Sequence, residues 1–307
     1  MSRAHLKLGT NIVNPLTLNE KSVENIVASS RPSTYSVEEW ELRCKLAVAY
    51  RIADYFGWTQ VIFNHITVKL PGTENEPDGP YFLINPLGLM FTEITASCLL
   101  KVNLEGEIID HGTHAGGLFR QGYVIHSAIH EVRHDCVCCW HSHHENAAAI
   151  SMTKTGILPI SQESVDIVNM IAYHPFEGTA NDMSERPRMQ RNLGMEKKIL
   201  ILENHGPCTL GNSIEDAFLL MYLVCRSCNY QQKAMAAVGG DLSKLNVPSP
   251  QVLSAMKARA KMNVLAVKKG ESIGFENGGG GIPSPFLVFR AMARLMEDTY
   301  GAEQIYC

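Results

Sequence analysis

The sequence predicts a globular α/β protein, and three observations carry that reading. A segment with helical spacing opens the ordered part of the chain, short apolar stretches bounded by Gly, Pro, Asn or Asp follow it, and helix and strand patterns then alternate through the middle. The 307 residues are 45% hydrophobic and 19% charged, enough to bury one large core or two modest ones.

Residues 1–35 are polar and aperiodic and read as an N-terminal extension able to dock on the body or on a neighbouring subunit. Ser36 and Glu39 fit a capping box. Leu42, Leu46, Ala49, Ala53 and Phe56 recur at helical spacing until Gly57 stops the helix. QVIFNHITVKL, YFLINPLGLMF and CLLKVNLEGEIID then read as strands and hairpins. Tyr123–Val132 suits a helix, and CVCCWHSHH behind it reads as a strand. Helices are expected near Ala147–Met152 and over Ser164–Ala172, with a loop through HPFEGTANDMSERPRM. KILILENHG is a buried strand running into a turn, and Ser213 caps a long helix through Ala217, Phe218, Met221, Val224 and Cys225. The tail holds two further helices separated by Gly278–Gly281, which lacks the flanking residues of a phosphate loop and reads as a connector.

Composition narrows the function. A net charge of -4 and a pI near 6.3 give no basic footprint for nucleic acid or for an anionic membrane surface. No apolar run approaches the roughly 20 residues of a membrane span, and the N-terminus has no signal-peptide pattern, so a cytoplasmic protein is expected. Nine scattered cysteines do not resemble a disulfide framework and are expected to stay reduced.

The stretch CCWHSHHENAAA carries the chemistry. Strand residues i and i+2 share a face about 6.6 Å apart, so His141 and His143 can reach one ion at nitrogen distances of about 2.0–2.1 Å. The alternative is a pair of partly exposed strand-end histidines. His205, at the corner after the strand Lys198–Glu203, makes a third imidazole available, and three protein ligands with open positions is a catalytic pattern. Neutral imidazole suits Zn2+, with Mn2+, Fe2+ or Co2+ also possible. Alternation places Cys139 on the His141 face and Cys136, Cys138 and Trp140 on the other, and the cysteines read as core packing.

From about Glu38 to Lys269 the order of segments resembles the class II aldolase/adducin family. The resemblance lies in WELRCKLAVAYRIADYFGW, FNHITVK, LINPLGL, VNLEGEIID, VIHSAIHEVRHDCVCCWHSHHENAAAISM and KILILENHGPCTLG. The sequence is similar to the adducin head-domain branch through FLINPLGLMFTEITAS, YVIHSAIHEVRHD, GILPISQES and LILENHG. The resemblance implies a three-layer α/β/α fold around a central, mainly antiparallel sheet, over residues 36–270, with 271–307 as a C-terminal helical tail. It implies a homotetramer with the metal site near a subunit interface, and His141, His143 and His205 as ligands. In the sugar-phosphate aldolases of the family the metal polarises substrate oxygens and stabilises the enediolate left when a carbon–carbon bond breaks.

The sequence departs from the aldolase pattern at the acid/base. The family glutamate four residues before His126 is Gly122 here, the downstream tyrosine falls near Gln162 or Glu163, and Asn85, Pro86, Leu87 and Gly88 replace a Thr- or Ser-rich phosphate turn. Glu163 and Glu145 are the replacement candidates, each with the alternative of a helix-dipole acid. Asn64, His65, Asn85 and Gly88 are the expected substrate-binding residues, and His126 and His130 read as packing or hydrogen-bonding residues. Two functions follow: a metal-dependent lyase acting on a small oxygenated acid or sugar, or a non-catalytic adducin-like scaffold that keeps the metal and meets an actin/spectrin-type partner. An amidohydrolase barrel, which also uses H-x-H at a strand end, is disfavoured by the position of the pair at 141.

Overall fold

The computed structural model describes residues 20–178, 183–256, 258 and 284–307. Its centre is one eight-stranded sheet of order β4-β3-β2-β1-β5-β8-β7-β6, with β1 His65–Lys69, β2 Phe82–Ile84, β3 Leu100–Val102, β4 Ile108–Asp110, β5 Cys138–His141, β6 Ile171–His174, β7 Ile199–Leu202 and β8 Gly206–Gly211. Every neighbouring pair is antiparallel except β6 with β7. Helices cover both faces, as expected of the α/β/α layering.

The helices are α1 Glu20–Ser30, α2 Val37–Tyr55, α3 Arg120–Val132, α4 Glu145–Ser151, α5 Gln162–Ile167, α6 Arg186–Leu193, α7 Ile214–Ala237, α8 Pro285–Tyr300 and α9 Ala302–Tyr306. On one face, Trp40, Leu46, Tyr50 and Ala53 of α2, Phe218 and Met221 of α7 and Phe289 of α8 pack on Ile66, Val68, Cys138 and Trp140. On the other, Ile125, Ala128 and Ile129 of α3 and Met189 and Leu193 of α6 cover Cys139, Leu200, Cys208 and Leu210. Alternate residues of β5 thus feed opposite cores, the strand period acting as the sequence requires.

Half of the capping box forms. Ser36 Oγ accepts from the Glu39 N–H, while the Glu39 carboxylate turns away to Arg43 and Lys101. Gly57, with φ 68°, ends that helix region in the left-handed conformation glycine tolerates.

Several expectations are corrected. Residues 20–30, read as aperiodic extension, form α1, whose Val23, Ile26 and Val27 pack on the main core. The helix expected over Ser164–Ala172 begins at Gln162 under the Ser161 cap, and Ile171 and Ala172 belong to β6, because pairing with Ile199 and Leu200 outweighs local helical spacing. The last residues of the expected loop, from Arg186, begin a helix, Arg186–Leu193, with Pro187 in its first turn, where a missing N–H costs nothing. β8 was not foreseen: Pro207 and Gly211 masked a strand that pairs on both sides. Cys136 joins the Cys139 core and not the Trp140 face, since it precedes β5 and escapes its alternation. The glycine run Gly278–Gly281 lies outside the described residues. All cysteines are free and all but Cys307 are buried. Among the described residues no helix is long and apolar enough to cross a membrane.

Candidate metal centre

The sheet brings three distant sequence segments to one point. His141 is the last residue of β5, His143 follows it in the turn into α4, and His205 sits in the β7–β8 turn. The strand argument for H-x-H therefore holds only for His141, because pairing stops there; a turn, not the pleat, aims His143. Its ring still comes 4.7 Å from His141 and 4.6 Å from His205, centroid to centroid, and His141 and His205 are 4.8 Å apart. One ligand nitrogen from each of the three lies within 4.8 Å of the others, so they could hold a metal ion together.

The β7–β8 turn is built for this approach. Asn204 adopts φ 58°, a left-handed conformation that Asn tolerates better than most residues. Gly206 runs so close to β5 that a Cβ there would collide with the Ser142 carbonyl oxygen. The Ser142 N–H donates to Pro207 O at 3.2 Å and the Ser142 hydroxyl to Trp58 O at 2.8 Å, fixing the end of β5 against two other segments.

Hydrogen bonds set which nitrogens face inward. His141 Nδ1 is 3.0 Å from the Pro207 carbonyl, which can only accept, so Nδ1 carries the proton and Nε2 keeps a lone pair. That Nε2 is buried with no protein partner. His143 Nδ1 is held by Gln60 Oε1, leaving its Nε2 2.7 Å from His205 Nε2. At this distance a proton on His205 Nε2 or a cation between the two nitrogens joins them. Burial, then the neighbouring histidines, holds His141 well below the ordinary imidazole range; burial and His205 lower His143 to about 4; burial lowers His205. The rings are thus neutral near pH 7, the state a metal requires. An orphaned buried nitrogen on His141, occupied Nδ1 atoms on His141 and His143, and neutral rings together fit a divalent ion.

The other expected residues are distributed unevenly. His65, the first residue of β1, pairs with His141 across the ladder and stacks on it at 5.1 Å. Asn85 and Asn64 lie together, but Asn85 Oδ1 accepts from the buried Tyr50 hydroxyl at 2.8 Å and Asn64 Oδ1 accepts from the Gln60 N–H. Gly88 is exposed at φ 102°. Glu145 is the exposed first residue of α4 and Glu163 lies in the first turn of α5. No hydrogen bond among the described residues joins either glutamate to the three histidines. Gln60 was missed by sequence reasoning; its place in the loop before FNHITVK was the sole signal. A second group, His174, Glu177 and Glu185, also lies close together. There both imidazole nitrogens are engaged, Nε2 by Glu185 at 3.1 Å and Nδ1 by Asn192 at 2.8 Å, and Arg188 holds Glu177.

Known proteins place this arrangement. Residues 44–232, more than half of the chain, match the class II aldolase and adducin N-terminal domain. Alpha-adducin of Rattus norvegicus is 37% identical over 278 residues, covering 89% of this chain, which spans only 35% of that protein. A protein of Pseudomonas aeruginosa, provisionally named an aldolase class 2 protein, is 45% identical over 205 residues, 67% of this chain and 75% of its own length. The crystal structure of an aldolase II superfamily protein from Pseudomonas syringae superposes with a TM-score of 0.74 at 38% identity, over 88% of this chain and 98% of that one. L-fuculose 1-phosphate aldolase from Glaciozyma antarctica shares the fold, with a TM-score of 0.68 at 24% identity over 92% and 99% of the two chains. With this sheet order, this histidine cluster and these matches, the chain belongs to the class II aldolase and adducin N-terminal domain family.

Proposed function

We propose that the chain is a divalent-metal-dependent carbon–carbon lyase that cleaves or decarboxylates a small oxygenated acid or sugar. The observation that carries this reading is the buried Nε2 of His141, partnerless and beside the inward nitrogens of His143 and His205. A divalent ion held by these three would supply Lewis-acid polarisation of substrate oxygens, with Zn2+ the first choice for an all-imidazole set and Mn2+, Fe2+ or Co2+ next.

The chain's own residues do the rest. The Pro207 carbonyl and Gln60 amide hold the rings of His141 and His143 so that their lone pairs converge. His65 stands against His141, and His65, Asn64, Asn85 and Gly88 are the substrate-positioning candidates. Glu163 and Glu145 are the candidate acid/base groups, each requiring substrate to bridge it to the cluster. A cytosolic homotetramer completes the reading.

The identity with alpha-adducin over 89% of the chain supports a second reading, a non-catalytic metal-bearing scaffold with an actin/spectrin-type partner. Elemental analysis of untagged protein comes first: fewer than about a tenth of chains loaded after incubation with these metals sinks the lyase. A screen of hydroxy-aldehyde phosphates and hydroxy acids follows, with His205→Ala as control. Loaded protein without turnover favours the scaffold.

A further inference from the structure

A second group of ligating side chains stands apart from the three histidines, and the proposed function uses none of it. His174 is the last residue of β6, and Glu177 and Glu185 reach the same point, Glu185 just ahead of α6. One ligand atom from each of the three lies within 4.8 Å of the others.

The charge of Glu185 is the part that local structure does not account for. Glu185 is 7% exposed, and a carboxylate taken out of water to that extent needs an opposite charge beside it. The two arginines that follow it are committed elsewhere, Arg186 to Glu131 and Arg188 to Glu177. Glu185 occupies the N-cap position of α6, yet its side chain makes no cap hydrogen bond. Among the described residues its one partner is His174, whose Nε2 is 3.1 Å from Oε1. Asn192 Nδ2 donates to His174 Nδ1 at 2.8 Å, so that imidazole is a neutral donor and brings no charge. Glu185 Oε2 accepts no hydrogen bond among the described residues.

The space these residues enclose has the size of an ion. His174, Glu177 and Glu185 line a cleft with Glu203 and His205, and the room inside is about 10 Å³, enough for one water-sized body and too little for an organic molecule. Its wall carries an excess of negative charge. Arg188 matches Glu177, while Glu185 and Glu203 pair with no Lys or Arg among the described residues.

We propose that His174, Glu177 and Glu185 bind a second divalent cation, separate from the three-histidine centre, which joins the end of β6 to the start of α6. One imidazole with two carboxylates suits Mn2+ before Zn2+. The 3.1 Å between His174 Nε2 and Glu185 Oε1 is about the edge of an octahedron whose bonds are about 2.2 Å long. To give its Nε2 lone pair to the ion, His174 carries its proton on Nδ1, and the Asn192 amide turns its oxygen to accept it. Glu177 keeps a free lone pair on each oxygen while Arg188 holds it. The inference does not depend on the lyase reading.

The test uses full-length His143→Ala, in which the three-histidine set is broken, titrated with Mn2+ and followed by the electron spin resonance of the free ion. One Mn2+ per chain should bind and raise Tm, and both effects should be lost in His143→Ala/Glu185→Gln, where the amide keeps the shape and removes the charge. No binding in His143→Ala, or equal binding in the double variant, overturns the proposal. Where the double variant does not fold, Glu177→Gln in place of Glu185→Gln reads the same loss. Spin-echo modulation of the bound Mn2+ should show an imidazole nitrogen that His174→Gln removes; modulation unchanged by that substitution would put the ion elsewhere and sink the assignment. Absence of zinc at the three histidines of wild type would count against the lyase reading and leave this titration as it is.

Discussion

Gly122 on α3 and His65 on β1 are so close that a Cβ on residue 122 would lie 2.8 Å from His65 Cε1 and closer still to Nε2 and Cδ2. The space that a side chain on residue 122 would take is therefore filled by an imidazole from another element. No side chain fits at residue 122 while the His65 ring holds this position.

Gly122→Ala makes the first prediction. Alanine in a helix interior gains up to about 1 kcal/mol over glycine, whereas overpacking a closed core costs about 1–3 kcal/mol. The variant should lose stability in urea unfolding because the His65 ring is pinned by His126 and His141 and cannot yield. A gain in stability would show that His65 has somewhere to go.

Gln60→Ala should keep the fold and loosen the metal. Gln60 fixes the Nδ1 proton of His143, and removing such an outer partner weakens metal affinity by about 10–100-fold. His143→Ala should abolish zinc binding at the three histidines and erase the rise in Tm that it gives. Equal zinc affinity in wild type and Gln60→Ala, by competition titration, would refute the role of the amide.

Acid should destabilise the metal-free protein early. Burial lowers both His65 and His130 to about 3 from the ordinary imidazole value of 6.5. A depressed folded pKa means the unfolded chain takes up protons first, so the stability present above pH about 6.5 falls as pH drops toward the folded values. At pH 5 each contributes a loss of about 2 kcal/mol. Chemical unfolding at pH 7 and pH 5 should show the difference shrinking in His130→Gln; the same slope in that variant contradicts it.

Gly206→Ala should damage the site through the backbone. The added methyl meets the Ser142 carbonyl, a backbone atom that cannot swing aside, so the β7–β8 turn must shift and carry His205 with it. Both Tm and metal content should fall. A variant with full metal content would show that the turn has slack.

The local elements were legible where local chemistry decides them. Ser36 and Ser213 cap their helices, Gly57 ends one, apolar spacing picked out α2 and α7, and mixed helical spacing picked out α3. Reading failed where partners decide: Ile171–Ala172 became strand by pairing with β7, and Pro207 concealed β8 although its carbonyl is the one that orients His141. His141, His143 and His205 were visible as a set from residue type and turn position.

The sequence by itself determined the family pattern, the capped starts of α2 and α7 and the three imidazoles, because capping, periodicity and motif order are properties of neighbours in the chain. Only the tertiary structure decided what fills the space beside Gly122, which nitrogens face inward, and how His65, His126, Thr67 and His130 join. Those depend on β1 lying beside β5 and under α3, residues 59–63 apart in sequence meeting within 2.8 Å. A hydrogen bond across that separation has no local signature, since its donor and acceptor are chosen by the packing of whole elements.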